Sequence, residues 1–157
     1  DPNGFRLGIN LGVRAETGSY AFAMPSGSVL SSFPLPGSLV GALEFATGTS
    51  TGEVPVQRLW YIGGPGSVRG IRPDERVAGN AFWWGRAEVG TNRPGARLVL
   101  FGDAGFAGGR ENIELDPSLL SAGVGVSFLD GLIRADLARA IRGGTGWTFQ
   151  MHLDAPL

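Results

Sequence analysis

Apolar and polar residues alternate with a period of two along nearly the whole chain. An alternation that persistent leaves room for little besides a β-sheet in which each strand carries one apolar face. Phe5, Leu7, Ile9, Leu11, Val13 and Ala15 share one phase, and Arg6, Gly8, Asn10, Gly12, Arg14 and Glu16 share the other. Leu39, Gly41, Leu43 and Phe45 repeat the pattern against Val40, Ala42, Glu44 and Ala46. Ala81, Trp83, Ala87 and Val89 repeat it against Asn80, Phe82, Trp84, Arg86 and Glu88, and Leu98, Leu100, Ala104 and Phe106 against Arg97, Val99, Phe101 and Asp103. The alternation is clearest where Leu120, Ala122, Val124, Val126 and Phe128 oppose Ser121, Gly123, Gly125 and Ser127. Ile133, Ala135, Leu137 and Ile141 then oppose Arg134, Asp136, Ala138 and Arg142, with Arg139 out of phase, and Trp147, Phe149, Met151 and Leu153 oppose Thr148, Gln150, His152 and Asp154. A weaker strand starts at Tyr20, Phe22 and Met24, where Pro25 and Gly27 predict a bulge or bend before it resumes towards Phe33.

Turn residues separate these runs: Thr17-Gly18-Ser19, Pro34-Leu35-Pro36-Gly37, Thr91-Asn92-Arg93-Pro94-Gly95, and the hairpin signal Asp130-Gly131. The reading is all-β, an antiparallel up-and-down meander of about eight strands. Glycine supports it, since 27 of 157 residues are Gly and each would cost a helix roughly 1 kcal/mol relative to Ala.

Such a meander can be a soluble sandwich or small barrel with its apolar face inside, or a membrane barrel with that face outside. Three features favour the second. The apolar phase often spans the ~9–11 residues that a tilted strand needs to cross a bilayer. Phe5, Trp83, Phe106, Phe128 and Trp147 fall near strand ends, where an interfacial girdle belongs. The opposite phase mixes Gly and Ser with charges of both signs, which suits a lumen better than a soluble surface rich in Lys and Glu.

Composition removes several function classes. A formal net charge of −1, with no basic tract, offers no field for nucleic acid. The chain has no Cys and one His, which excludes thiolate zinc sites and thiol nucleophiles, and no loop has EF-hand spacing. No metal or cofactor is expected. His152 has no Ser partner in a recognisable motif, and Gly64-Pro65-Gly66 has neither the spacing of a dinucleotide loop nor the Lys of a phosphate loop. Glu88 and Asp103 could act as an acid pair, but a cation docked on both would hold them ionised; the chain is read as a non-enzyme.

The connection from about Thr47 to Ala78 exceeds the ~12–15 residues beyond which a loop in a compact domain is usually functional or disordered. Its apolar lead-in, Leu59-Trp60-Tyr61-Ile62, favours an ordered loop that folds back onto the sheet. At its centre Gly63-Gly64-Pro65-Gly66-Ser67-Val68-Arg69-Gly70 holds one cation among glycines.

Val68-Arg69-Gly70 with Gly63-Gly64 resembles the signature, VRGF-type, loop of the outer-membrane barrel-assembly superfamily, the bacterial surface antigen type that includes BamA, TamA and two-partner-secretion transporters. The resemblance covers nearly the whole chain. Asp1-Pro2-Asn3-Gly4 resembles the start of a mid-barrel strand, Gly85-Arg86-Ala87-Glu88 and Phe101-Gly102-Asp103-Ala104-Gly105 the two strands after the loop, and Ser121 to Leu157 the closing three. Ile71 stands where the family loop has Phe or Tyr, and Asp154-Ala155-Pro156-Leu157 lacks the terminal aromatic.

The resemblance implies that residues 1–157 are the C-terminal half of a transmembrane β-barrel in the bacterial outer membrane, and the two unpaired edges of such a half point to either a fragment of a longer protein or one half of a two-chain barrel. Its loop would enter the lumen, and Arg69 would meet Glu88 and Asp103 there. The implied function is insertion or translocation of unfolded outer-membrane or secreted client proteins, with membrane lipids as surroundings and periplasmic POTRA domains in the full-length chain. A passive channel or structural barrel with the loop as a plug is the alternative. In the bland version of either, Arg69 is a solvated loop residue and the two acids are ordinary lumen charges.

Overall fold

The computed structural model describes residues 4–18, 20–93, 95–128 and 132–153. Asp130-Gly131, residues 1–3 and 154–157, Ser19 of the first turn and Pro94 of the third lie outside the described residues. The strands are β1 (Arg6–Glu16), β2 (Phe22–Leu35), β3 (Leu39–Gly48), β4 (Thr51–Gly52), β5 (Trp60–Ile62), β6 (Val77–Gly79), β7 (Ala81–Thr91), β8 (Ala96–Gly108), β9 (Leu119–Phe128), β10 (Ile133–Arg142) and β11 (Trp147–Leu153).

Eight of them form one antiparallel meander in the order β1-β2-β3-β7-β8-β9-β10-β11. The up-and-down reading therefore holds. β1 pairs only with β2 and β11 only with β10 among the described residues, so the sheet is not closed.

Register fixes the two faces, because residues directly opposite each other point the same way. Ile9 pairs with Val29, Val29 with Phe45, Phe45 with Gly85 and Gly85 with Ala104. Farther along, Leu100 pairs with Val124, Val124 with Leu137 and Leu137 with Phe149. This apolar face is the exposed one, with Leu11 at 86 % and Phe149 at 69 %. We call it the outer face.

The inner face is covered instead by the segment between β3 and β7. Ile62, Val68 and Ile71 from that segment are buried against Ala46, Phe82, Trp84, Ala107, Leu119 and Ala140. Each large apolar side chain buried there contributes about 1.5–3 kcal/mol. The core thus lies between the connection and one wall of the sheet, and the outer apolar face takes no part in it.

Three local readings change. β2 runs unbroken through Pro25 and pairs regularly with β1 from Phe22 to Ser32. The Pro25 carbonyl accepts from the Thr49 amide, so the missing Pro N–H falls on that same side, at the gap between β3 and β4 where no ladder bond is needed. Tyr20 precedes the strand, and Phe22 and Met24 are buried on the inner face.

The connection is also not a bare loop. β3 continues to Gly48, and the segment contains the β5–β6 hairpin pair and short 3-10 turns at Val56–Arg58 and Pro73–Glu75. In β10 a register shift between Ala140 and Arg142 sets Arg142 opposite Leu120, on the outer face, rather than in the polar phase.

Of the aromatic residues read as a girdle, Trp83, Phe106, Phe128 and Trp147 occupy outer-face positions and Phe5 precedes β1, but Phe106 is buried, at 8 %. Trp83 pairs with Phe106, and its indole N–H donates to the Glu114 carbonyl at 2.8 Å; the connection from β8 to β9 comes back over this corner.

Candidate functional site

Three glycines shape the loop tip. Gly63, Gly64 and Gly70 have φ of 118°, 93° and 82°, a region that side-chain-bearing residues avoid. The Gly64 amide donates to the Val68 carbonyl at 2.7 Å, the Ser67 amide to the Gly64 carbonyl at 3.1 Å, and the Gly63 amide to the Ser67 hydroxyl at 2.8 Å. This closed turn presents Val68 and Arg69 to the inner wall. A Cβ on Gly70 would lie 3.2 Å from the Ala138 Cβ, so β10 packs directly on the loop backbone.

Arg69 is 1 % exposed. Its backbone N–H and Nε donate to Asp103 Oδ2 at 2.9 and 2.7 Å, and its Nη2 donates to Asp103 Oδ1 at 2.7 Å. Nη1 pairs with Glu88 Oε1 at 2.7 Å and with Asp136 Oδ2 at 3.3 Å. The guanidinium also lies over the Phe101 ring, 3.4 Å from its centroid. A planar fork with several fixed donors suits three carboxylates on one wall, where a Lys would offer only a point charge.

Glu88 and Asp103, singled out in the sequence, are therefore both at the loop arginine, on β7 and β8. Gly63, Gly64, Val68 and Gly70 build the turn that carries it. Asp136, Arg134, Arg86 and Phe101 belong to the same assembly and were not singled out. Arg134 Nη2 pairs with Glu88 Oε1 at 2.8 Å and its Nε with Asp136 Oδ1 at 3.0 Å. Arg86 Nη2 donates to the Pro65 and Ser67 carbonyls, both at 2.9 Å, and so ties the turn itself to β7. All four lie in the inner phase, but nothing in the sequence says which inner residues share a level.

Glu88 and Arg134 meet although two strands separate β7 from β10. Three strand spacings amount to about 14 Å on a flat sheet. Side chains standing off a flat sheet would not meet across that gap, so the sheet curls towards the inner face. The inner wall has two tiers: Phe82, Trp84, Ala107, Leu119 and Ala140 near the long connection, then the ionic residues deeper along the strands. Ile71 is 1 % exposed and belongs to the apolar tier.

A second tie joins the loop to the β10–β11 hairpin. The Thr145 amide and hydroxyl donate to Glu75 Oε1 at 2.9 and 2.8 Å, and Arg72 Nη2 donates to the same oxygen at 2.7 Å. The hydrogen bond from the Arg72 amide, followed by that from the Thr145 hydroxyl, lowers the Glu75 carboxyl from 4.5 to about 2. With the folded value depressed, the tie is at full strength above pH 4.5 and is lost only as pH falls through about 2. Hydrogen exchange at the Thr145 amide should therefore be slower in the wild type than in Glu75→Gln by a constant factor from about pH 7 to about pH 5, converging near pH 2. Convergence already at about pH 5 would contradict it.

The family model described as Omp85 superfamily domain matches residues 7–151. Comparison with curated proteins finds no match.

Proposed function

Because the chain belongs to the Omp85 superfamily, a family of outer-membrane protein insertion and translocation, we propose that it works as part of a BamA/TamA-type barrel whose docked loop serves that activity. The observation that carries the reading is the burial of Arg69 against Glu88, Asp103 and Asp136, with the apolar face turned outward. A soluble β-domain would have buried that apolar face. Here it suits lipid, and the polar inner face suits a lumen.

Residues 1–157 are the C-terminal portion of this barrel. Among the described residues β1 and β11 each pair on one side only, and unpaired backbone groups cost several kcal/mol each in hydrocarbon, which supports a wall continued by further strands. The clients are unfolded outer-membrane or secreted proteins, and periplasmic POTRA domains are the partners implied in the full-length chain. The docked loop orders the inner wall during client passage, with no reaction catalysed.

Deleting residues 62–74 from the full-length protein is the test. Client insertion into vesicles should fail while the barrel still assembles. If insertion continues and ion conductance rises, the loop is only a plug and the passive channel is correct.

A further inference from the structure

We infer that the outer-face corner formed by Arg139, Arg142 and Trp147 binds the phosphate of an anionic lipid headgroup. The inference rests on the membrane-spanning reading above. Followed through the register, the outer-face positions of all eight strands hold aliphatic, aromatic, methionine, glycine, proline and hydroxyl residues; the only charged side chains among the described residues there are Arg139 and Arg142. Arg139 pairs with Ala122 on one side and Trp147 on the other. Arg142 reaches this face only through the bulge, since an unbroken ladder would have turned it inward.

Both arginines lie at the end of β10 that runs into the 143–146 turn, the same end of the sheet at which the long connection joins β3 to β7. A cation on the outer face of a barrel is expensive at mid-bilayer and tolerated near the headgroups. Trp147, the first residue of β11 and 59 % exposed, is suited to that same level. The Arg139 guanidinium lies 5.8 Å over its ring, which orients the cation and leaves its N–H edge open to an oxyanion. Among the described residues no carboxylate pairs with Arg139, whereas Arg142 Nη1 meets Asp116 Oδ1 at 2.7 Å. The Glu114 carboxylate also lies within electrostatic reach of Arg142, so the β8–β9 connection balances Arg142 and the cation left without a carboxylate is Arg139; on a lipid-facing surface the matching anion is a headgroup phosphate.

The test uses the full-length protein in phosphatidylcholine vesicles doped with brominated phosphatidylglycerol or brominated phosphatidylcholine. The readout is the part of the tryptophan emission that Trp147→Phe removes. Phosphatidylglycerol should quench it at a mole fraction lower by roughly fivefold per arginine engaged. Arg139→Gln with Arg142→Gln should erase that preference but keep quenching by phosphatidylcholine, and the corresponding Lys pair should retain most of it. Equal quenching by the two lipids in the wild type overturns the headgroup site and leaves the membrane reading standing. No quenching by either lipid overturns the membrane reading and the site with it.

Discussion

Arg69→Ala is expected to release the loop from the inner wall and to open the 62–76 segment to trypsin by about two to three orders of magnitude. The estimate follows from what the substitution strands. Asp103 and Asp136 are fully buried and Glu88 nearly so, and each loses a charged donor. Removing one member of a buried ionic group while the others stay costs about 3–5 kcal/mol. At ~1.4 kcal/mol per tenfold, that shifts the docked–undocked equilibrium by the stated factor, and cleavage follows the open population where closing is fast. Arg76 supplies the cleavage site, since the bond after Arg72 precedes Pro73 and resists trypsin, and Arg58, outside the segment that Arg69 holds, serves as the internal reference. The apolar tier is untouched, so the barrel should still assemble while client insertion falls. A wild-type cleavage rate at Arg76 would show that Arg69 does not hold the loop.

Asp103→Ala probes the same contact from the wall. It removes the acceptor for three of the Arg69 donors but leaves Glu88 and Asp136 in place. Its effect should be similar in kind and somewhat smaller. The double variant should be little worse than Arg69→Ala alone, because residues that share a contact are not additive. Additive losses would separate the two residues.

The meander and the outward apolar phase were legible because both depend on a period of two that each strand carries by itself. Pro25 misled because its cost depends on which neighbour needs its N–H, and the gap between β3 and β4 needs none. Arg142 misled for a related reason. A one-residue bulge reverses every later side chain, and the sequence Ala138-Arg139-Ala140-Ile141-Arg142 contains no Gly or Pro to mark it. At the site, alternation puts Glu88, Asp103, Arg134 and Asp136 on one face but is blind to curvature. Only the curled sheet brings β10 within reach of β7, which makes Asp136 and Arg134 neighbours of a loop 65 or more residues away in sequence.

Curvature also gives two glycines on β9 a role that their alternation alone left open. Gly123 and Gly125 look like the light polar phase of a strand, yet each clears space for the ionic tier. A Cβ on Gly123 would lie 2.5 Å from Cζ of Phe101, the ring under Arg69, and one on Gly125 would occupy the place of Asp136 Oδ1. Glycine inside a strand is ordinarily a weakness, so Gly125→Ala would be expected to stabilise an unremarkable strand by about 0.5–1 kcal/mol. Here the sign should reverse. The Asp136 carboxylate cannot swing aside cheaply, because Arg69 and Arg134 both hold it. Gly125→Ala should destabilise the folded protein by about 3 kcal/mol, from crowding plus a broken ion pair, as read from denaturant unfolding in lipid. In an Asp136→Ala background the obstruction is gone, and the same substitution should cost less than about 1 kcal/mol. A stabilising Gly125→Ala in the wild-type background would mean that Asp136 has room to retreat and that the ionic tier is looser than its distances indicate.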